Sequence, residues 1–349
     1  MKNNQITIQD SIRKITTPGY YYPIELDVAQ DKSTRVQNGL SLSLSLRGKT
    51  SHFAGVIKTR SVPQVVDGLV RDLLQKGKVL QNTHPLVILP YLSESVIQIL
   101  EQNNVSGIDM NGNYYIVTDS IVAIRLDKKN EYKDSAPIKN IFRGDTSMTS
   151  RFLLTEPRVY ATVNEIFQGI TKAGGTITLS TVSKSLRALS EQMILKKSTK
   201  EIRLLQPEKL LNLLVENYLP VSQNNARKIK LPSDRREAAQ VVARYLGSDW
   251  MWSGETSADQ YAVTTPPSQS VMYAKPQEGL FDLIDTFEDN RFYNTTVIPV
   301  EESSLFFGTE KNYASPLQSY LELMQLDKRE REIADDIRKM ILGKFSYEA

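Results

Sequence analysis

A strict alternation of leucine and serine in residues 40–46 limits the possible folds of this chain more than any other stretch. The run reads LSLSLSL. Successive side chains of a β-strand point to opposite faces, so this pattern predicts a half-buried strand with leucine facing inward. Residues 86–89 read LVIL, and a short run that is apolar throughout predicts a strand buried on both faces. The chain is therefore expected to contain a sheet with covered faces.

Helical patterns alternate with these strands. Residues 65–74 and 96–100 place their apolar side chains on single helical stripes. An Asn-Gly pair at residues 111–112 indicates a hairpin, and residues 121–126 indicate one further strand. Residues 1–130 are therefore predicted to form an N-terminal α/β domain, and the polar, lysine-rich residues 127–146 to form a domain boundary.

Composition excludes several classes of chemistry. The chain has no cysteine, which rules out disulfides, thiolate zinc sites, iron–sulfur clusters and cysteine nucleophiles. Only His52 and His84 supply imidazoles, so a site that needs three histidines is ruled out as well. The sequence contains neither a P-loop nor a dinucleotide-binding glycine motif. These absences leave no site for a nucleotide cofactor, and together with the missing paired carboxylates described below they lead us to expect no cofactor, no metal and no enzymatic activity.

The chain also lacks the sequence features of a membrane or secreted protein. The N-terminus has no apolar core of signal-peptide type, and the longest apolar runs are far shorter than the roughly 20 residues that span a bilayer. Apolar residues make up 40% of the chain and charged residues 24%, which is ordinary for a globular protein. The expectation is a cytoplasmic protein of bacterial type with no membrane partner.

Charge is distributed unevenly along the chain. Residues 151–236 contain fifteen Lys and Arg against seven Asp and Glu, whereas residues 281–349 contain eight against fourteen. The net charge of the whole chain is only +3, so the positive charge is concentrated in one segment. Such a segment is typical of a module that meets a polyanion.

The basic segment begins with three predicted helices. They cover residues 148–155, residues 162–172 and a stretch that begins near residue 178, with the turn Ala-Gly-Gly before the third. In the third helix Val182, Leu186, Leu189 and Met193 are spaced to form one apolar face. The opposite face carries the candidate DNA-contacting residues Ser180, Thr181, Ser183, Lys184 and Arg187. Hydroxyl and basic side chains on one helix face are suited to base edges and phosphates in a major groove.

A basic hairpin is predicted to follow the third helix. Residues 193–197 and 201–205 flank a turn at residues 198–199. The side chains expected to face outward and anchor phosphates are Lys196, Lys197, Lys200 and Arg203. Three helices and a hairpin are the order of a winged helix-turn-helix, which we predict for residues 147–218. The same order also serves protein–protein packing modules, so that alternative remains open.

The last third, residues 236–349, is predicted to be a C-terminal α/β domain that ends in two helices. The first of these has Ser315 as N-cap and an apolar face with Leu317, Tyr320, Leu321 and Met324, and the second spans residues 328–342 with Ile333, Ile337, Met340 and Ile341 inward. Nucleotidyltransferase chemistry needs paired carboxylates on a strand, and the candidate strand at residues 270–274 is uncharged. We therefore expect a nucleotidyltransferase-like scaffold without catalytic carboxylates. Trp250 and Trp252 are expected to pack in a core strand.

Five short segments together resemble the AbiE-type abortive-infection antitoxin family of winged-helix transcriptional regulators. They are VILP at residues 87–90, GIDMNGNYYI at 107–116, PEKLLN at 207–212, ENY at 216–218 and SPLQSYLEL at 315–323, and the resemblance extends over most of residues 60–342. In that family the winged helix binds DNA and represses its own operon, and the C-terminal part is associated with neutralising a nucleotidyltransferase-like toxin. The resemblance implies double-stranded DNA and such a toxin as partners of this chain.

The main competing hypothesis is a metal-dependent nuclease of restriction-endonuclease-like fold. That chemistry needs an Asp followed, one strand later, by a second carboxylate and a nearby Lys that hold Mg²⁺ and the attacking water. Asp109 is the candidate Asp, but the next strand reads YYIV, and the run Asp127-Lys128-Lys129 comes one strand too late. The N-terminal domain is therefore predicted to be an inactive relative of that fold, in which Asp109 and Asn113 shape a turn. A module that binds only protein is the remaining alternative.

Overall fold

The computed structural model of this chain describes residues 7–29, 39–77, 83–132, 141–265 and 267–345. The chain divides into two compact units, the first Met1–Pro137 with Glu191–Met193 and the second Ile138–Ser190 with Ile194–Ala349. Each unit combines helices with strands, which confirms the mixed α/β class. The predicted range 1–130 falls within the first unit, and the ranges 147–218 and 236–349 fall within the second apart from residues 191–193. The predicted boundary at residues 127–146 lies in part outside the described residues, which omit 133–140.

The first unit alternates helices and strands along the chain. In order they are α1 (Ile8–Ile15), β1 (Glu25–Ala29), β2 (Gly39–Leu46), β3 (Lys49–Ile57), α2 (Pro63–Gly77), β4 (His84–Leu89), α3 (Glu94–Asn103), β5 (Ser106–Asp109), β6 (Tyr114–Val117) and β7 (Val122–Arg125). These strands form one sheet in the order β1-β2-β3-β4-β5-β6-β7. β3, β4 and β5 are parallel because α2 and α3 cross over between them, and the other neighbours are antiparallel.

The sheet of the first unit packs apolar residues on both of its faces. In β2 the central leucines are buried and the serines are half-exposed, which confirms the prediction from the alternating run. In β4, Leu86 and Ile88 belong to a core that includes Ile15 of α1. Val87 and Leu89 belong to a second core that includes residues of α2 and α3. The prediction that this strand is buried on both faces is therefore confirmed.

The second unit begins with a helical part and continues into a small sheet. In order its elements are α4 (Met148–Thr155), α5 (Val163–Lys172), α6 (Leu179–Glu191), β8 (Leu195–Lys197), β9 (Ile202–Leu204), α7 (Pro207–Asn217), β10 (Arg227–Ile229), α8 (Arg235–Leu246), β11 (Trp250–Ser253), α9 (Glu255–Ala258), β12 (Ser270–Ala274), α10 (Glu278–Phe287), β13 (Thr295–Pro299), α11 (Pro316–Leu323) and α12 (Lys328–Gly343). The sheet has the order β10-β13-β12-β11, with β12 and β13 parallel and the other pairs antiparallel. Trp250 and Trp252 are both buried in β11, as the sequence predicts, with their rings edge to face at 5.3 Å.

The two C-terminal helices differ in part from the sequence prediction. Ser315 caps α11 and Leu317, Tyr320 and Leu321 are buried, as predicted, but the helix is buried on its polar side as well, since every residue from Leu317 to Leu323 is buried. The inward face of α12 is Ala334, Ile337 and Ile341, whereas Met340 is exposed. α11 and α12 belong to the same core as α4 to α7, so they close the helical part of the unit. Among the described residues, no helix combines the length and apolar character that crossing a bilayer requires.

Candidate nucleic-acid interface

Helix α6 separates into an apolar and a polar face as the sequence predicts. Its first turn is fixed by Thr178, whose hydroxyl accepts a hydrogen bond from the Thr181 amide at 3.2 Å. Val182, Leu186 and Leu189 are fully buried in the helical core. The packing of these three side chains determines which residues of α6 remain at the surface.

The five predicted contact residues of α6 lie at or near the surface. Ser180, Lys184 and Arg187 are exposed, and Thr181 and Ser183 are half-buried. Met193 was predicted to extend the apolar stripe, and this is wrong, because the helix ends at Glu191. Met193 lies in the turn that follows, with a left-handed backbone of φ 58°.

An open depression lies where the first turns of α5 and α6 meet. Its lining residues are Thr162, Val163, Asn164, Leu179, Ser180, Ser183 and Lys184. The start of a helix carries a partial positive charge, and among the described residues the Thr162 and Thr178 hydroxyls each accept from only one amide, of Glu165 and Thr181 respectively, so two helix starts and a lysine make the depression suited to a phosphate. Sequence reasoning found the α6 half of this surface and missed Thr162 and Asn164. The signal for Thr162 was its place as N-cap, where its hydroxyl accepts from the Glu165 amide at 3.1 Å.

The hairpin of β8 and β9 carries basic side chains on one face. Lys196 lies directly across from Arg203, and both are exposed. Lys200 is exposed in the turn, which is held by hydrogen bonds from the Lys200 and Glu201 amides to the Ser198 hydroxyl at 3.2 and 3.1 Å. The hairpin therefore presents three of the four predicted basic residues to solvent.

Lys197 does not share this outward face, which corrects the sequence prediction. It pairs with Ile202, which is only 2% exposed, and Lys197 itself is half-buried. Cross-strand partners lie on the same side of a sheet, so Lys197 belongs to the side that Ile202 packs into the core. The sequence signal was the alternation itself, since a strand that buries residue 195 turns residue 197 to the same side.

A segment before α5 adds a third strand-like contact to this hairpin. Tyr160 exchanges two backbone hydrogen bonds with Ile202, at 2.9 and 2.8 Å. The guanidinium of Arg158 lies 4.7 Å from the centre of the Tyr160 ring and 2.8 Å from the Glu165 carboxylate. Arg158 is exposed beside the hairpin and the start of α5, so it is a basic residue of this surface that the sequence analysis did not select.

One ion pair reduces the free positive charge of the hairpin. The Lys196 ammonium lies 2.7 Å from the Glu201 carboxylate. The hydrogen bond and charge of Lys196 lower the pKa of Glu201, with a further contribution from Arg203. Glu201 is therefore an anion at neutral pH that competes with any phosphate for Lys196.

The structure assigns Asp109 to a structural role in the first unit. Its carboxylate is fully buried and accepts four hydrogen bonds. The donors are the amides of Leu92, Asn111 and Asn113 at 3.0, 2.8 and 2.9 Å and the side-chain amide of Asn113 at 2.7 Å. Both oxygens are thus already used, which leaves this carboxylate poorly suited to a metal ion.

The other candidate residues for metal or acid–base chemistry do not come together in one site within the described part of the chain. Within the described ranges, no three His, Asp or Glu side chains lie close enough to share a metal ion. The Lys128 amide donates to the Asn113 side chain at 2.8 Å, so the run at residues 127–129 supports the same turn. His52 is exposed on β3, and His84 lies beside the Phe53 ring at 5.7 Å between ring centres.

A buried polar network lies beneath the helical part of the second unit, and sequence reasoning missed it. Arg151 of α4 donates to the Gln318 side-chain oxygen at 2.9 Å, and the Gln318 side-chain nitrogen donates to Glu322 at 2.5 Å. Glu322 also accepts from the Ser253 hydroxyl and the Gly254 amide. Burial raises the pKa of Glu322 and lowers the pKa of Arg151, while the donated hydrogen bonds oppose the shift at Glu322. The network ties α4 and α11 to the end of β11.

Comparisons of this chain with protein-family models, with curated proteins and with solved structures find no match. What the arrangement can do therefore follows from its own residues. The depression and hairpin offer basic and hydroxyl groups on an open surface, which suits recognition of a polyanion better than covalent chemistry.

Proposed function

We propose that this chain is a DNA-binding transcriptional autoregulator of antitoxin type, in which residues 147–218 act as a winged helix-turn-helix. The observation that carries the proposal is the depression between the starts of α5 and α6, where Ser180, Ser183 and Lys184 meet two helix N-termini. α6 would enter the major groove with these residues toward the base edges and phosphates.

The hairpin supports the same docking. Its exposed Lys196, Lys200 and Arg203 would contact the backbone beside the groove, which is the part that a wing has in this class of domain. The backbone contact between Tyr160 and Ile202 supports a winged domain as well, because it fixes the hairpin against the segment that leads into α5. The fully buried apolar face of α6 leaves its polar face as the part available to DNA.

The antitoxin part of the proposal rests on the resemblance to the AbiE-type family. It implies repression of the chain's own operon and neutralisation of a nucleotidyltransferase-like toxin through residues 236–349. The acidic balance of residues 281–349 favours a protein partner over DNA for that region. The first unit has a mixed sheet with helices, and the Asp109 carboxylate is occupied by hydrogen bonds within its turn. Both features are compatible with an inactive restriction-endonuclease-like fold.

The proposal is tested by measuring binding to the duplex directly upstream of the chain's own gene across a series of KCl concentrations. A shuffled duplex of equal length measures non-specific binding, and fluorescence anisotropy gives both affinities. We expect the upstream duplex to bind more tightly and log K to fall linearly with log salt. The variant Lys184→Ala should reduce that slope by about 0.9, the value for one lost phosphate contact.

Lys172→Ala is the matched control, since Lys172 is an exposed lysine at the far end of α5. It removes the same charge without touching the depression, so the slope should remain that of the unmodified protein. Absence of salt-sensitive binding to either duplex would overturn the proposal and favour a protein-interaction module. Cleavage of DNA with Mg²⁺ that is lost in Asp109→Ala would overturn it in favour of a nuclease.

A further inference from the structure

Strand β7 leaves a row of apolar side chains exposed at one edge of the seven-stranded sheet. Val122 is 69% exposed and Ile124 is 53% exposed, and Leu126 continues the row at 43%. They lie across from Val117 and Tyr115 of β6, which belong to the core on the α2 and α3 side of the sheet. The exposed row is thus a continuation of a packed apolar face.

The same strand also has backbone groups available for pairing. It forms a ladder with β6 alone among the described strands. The amide of Thr118 donates to the Ile121 carbonyl at 2.9 Å, which makes 118 and 121 a hydrogen-bonded pair. Hydrogen-bonded and non-bonded pairs alternate along an antiparallel ladder, so Val122 and Ile124 direct their N–H and C=O groups away from β6. β7 therefore combines an open ladder edge with an apolar row.

The opposite edge of the sheet is different. Among the described side chains of β1, Glu25 and Asp27 are exposed, and charges on an edge strand oppose pairing with other chains. The side chains of β7 at the equivalent exposed positions are uncharged, and Arg125 is directed to the Gly112 and Tyr22 carbonyls. The β1 edge thus carries charged side chains that oppose pairing, whereas the exposed positions of β7 carry uncharged ones.

We infer that β7 is a self-association edge, at which a second copy of this chain adds its own β7 in the antiparallel direction. An isologous contact of this kind closes after two copies, because each edge satisfies the other. A contact from β7 to β1 of another copy would set Glu25 and Asp27 against the apolar row and would extend into an open filament. The two-fold arrangement is therefore the one that the side chains fit.

Charge at the two ends of β7 favours the antiparallel direction. The turn before the strand carries the exposed Asp119, and the segment after it carries the exposed Asp127, Lys128 and Lys129, so the two ends differ in the sign of their net charge. Antiparallel pairing centred on Ile124 sets Val122 across from Leu126 of the second copy and brings each Asp119 to the end that carries the two lysines. A parallel pairing would instead bring like ends together.

The inference is tested first by the mass of the full-length chain in solution without DNA, using sedimentation velocity. We expect a dimer, and Ile124→Lys should convert it to a monomer because a lysine on an edge strand opposes pairing. Val263→Lys is the control, since Val263 is a fully exposed valine in the second unit. It should leave the dimer intact. A monomeric unmodified chain, or a dimer that survives Ile124→Lys, would overturn the inference.

The absence of cysteine allows a second, independent measurement. A residue on the two-fold axis of an antiparallel ladder lies roughly 5.5 Å from its copy, within the range that a disulfide bridges. We expect Ile124→Cys to form a disulfide-linked dimer on mild oxidation, much faster than Val263→Cys. Equal rates for the two variants would overturn the inference.

Neither experiment contains DNA, so the inference does not depend on the proposed function. A monomer that binds DNA with the expected salt dependence would refute the self-association edge alone. A dimer without DNA binding would refute the proposed function alone.

Discussion

At the residue scale, the orientation of one amide group determines whether the buried network of the second unit is satisfied. The Gln318 side chain turns its oxygen to Arg151 and its nitrogen to Glu322 and to the Tyr218 hydroxyl. Arg151 can only donate and an ionised Glu322 can only accept. The amide is therefore the adaptor between a buried cation and a buried carboxylate that do not touch directly. Exchanging a donor for an acceptor at any one of these three residues therefore leaves a buried polar atom without a partner.

This leads to a prediction for Glu322→Gln. The new side-chain nitrogen would face either the Gln318 nitrogen or the Gly254 amide, and turning the Gln318 amide around would only move the first conflict to Arg151. One buried donor is left without an acceptor in either case, so the free energy of unfolding should fall by about 1–3 kcal/mol. Urea denaturation, read by tryptophan fluorescence, measures the loss.

The double variant Gln318→Glu with Glu322→Gln is the control for this prediction. It places a carboxylate between Arg151 and the amide nitrogen introduced at position 322, and the Tyr218 hydroxyl can donate to that carboxylate. The double variant should recover most of the lost stability, giving a favourable coupling energy in the double-mutant cycle. Additive losses would show that the three side chains do not act as a network.

At the scale of the element, side chains alternate between the two sides of the hairpin of β8 and β9, so two neighbouring lysines lie in different surroundings. Lys196 and Lys197 are neighbours in sequence, but only Lys196 shares the exposed face with Arg203. Phosphate contacts require the exposed face, because the other side packs on the helical core. The two lysines should therefore differ in their effect on DNA binding.

We predict that Lys196→Ala lowers the salt dependence of DNA binding and that Lys197→Ala does not. Lys196 accounts for up to one phosphate contact, so the slope of log K against log salt should fall by up to about 0.9. Lys197→Ala is the matched control, with the same charge removed one residue away. Equal effects of the two substitutions would contradict the conclusion that Lys196 lies on the exposed side of the hairpin and Lys197 on the side that packs against the core.

A third substitution in the hairpin should act in the opposite direction. Glu201→Gln removes the carboxylate that lies 2.7 Å from the Lys196 ammonium. Lys196 is then free to contact phosphate without first giving up an ion pair, so binding should tighten and the salt slope should become steeper. Combining it with Lys196→Ala should abolish the gain. A gain that persists in that double variant would show that Glu201 acts through general repulsion of DNA.

The elements that could be predicted from the sequence are those in which a single periodicity decides burial. The leucines of β2, the run in β4 and the stripe of Val182, Leu186 and Leu189 all follow their periods in the structure. The burial of the polar side chains of α11 could not be predicted this way, because their partners, such as Ser253 and Arg151, lie more than 60 residues away in the sequence. Periodicity reports one face of an element and carries no information on long-range polar partners.

The candidate interface could likewise be predicted only in part, because a sequence pattern reports on one element at a time. The exposed residues of α6 follow directly from its apolar stripe, whereas Thr162 and Asn164 join the site only because α5 and α6 pack with their starts together. The contact of Tyr160 with Ile202, which brings Arg158 to the hairpin, also depends on tertiary pairing. Residues that enter a surface from another element leave no local pattern in the sequence.

At the scale of the whole molecule, the division into two units assigns the candidate interface and Asp109 to different parts of the chain. The depression and the hairpin lie in the second unit, and Asp109 with its four donated hydrogen bonds lies in the first. A nuclease would require Asp109 for activity on DNA. A winged-helix regulator requires it only for the stability of the first unit.

This difference gives a prediction for Asp109→Asn. The substitution turns one acceptor oxygen into a donor that faces either the Leu92 amide and the Asn113 side-chain amide or the backbone amides of Asn111 and Asn113, so the first unit should lose about 1–3 kcal/mol of stability. Hydrogen exchange of the full-length chain should show faster exchange in the peptides of residues 84–117 and unchanged exchange in α6. DNA affinity at a temperature where both units are folded should equal that of the unmodified protein.

Asp72→Asn is the control for this last prediction, because Asp72 is an exposed carboxylate on α2 of the same unit. A substitution at such a surface position usually changes stability by less than about 0.5 kcal/mol, so neither hydrogen exchange nor DNA affinity should move. If Asp109→Asn weakened DNA binding while exchange in the first unit stayed unchanged, the carboxylate would have a direct part in handling DNA. That result would return the first unit to the nuclease hypothesis, since a purely structural carboxylate cannot affect DNA binding without loosening the turn that it holds.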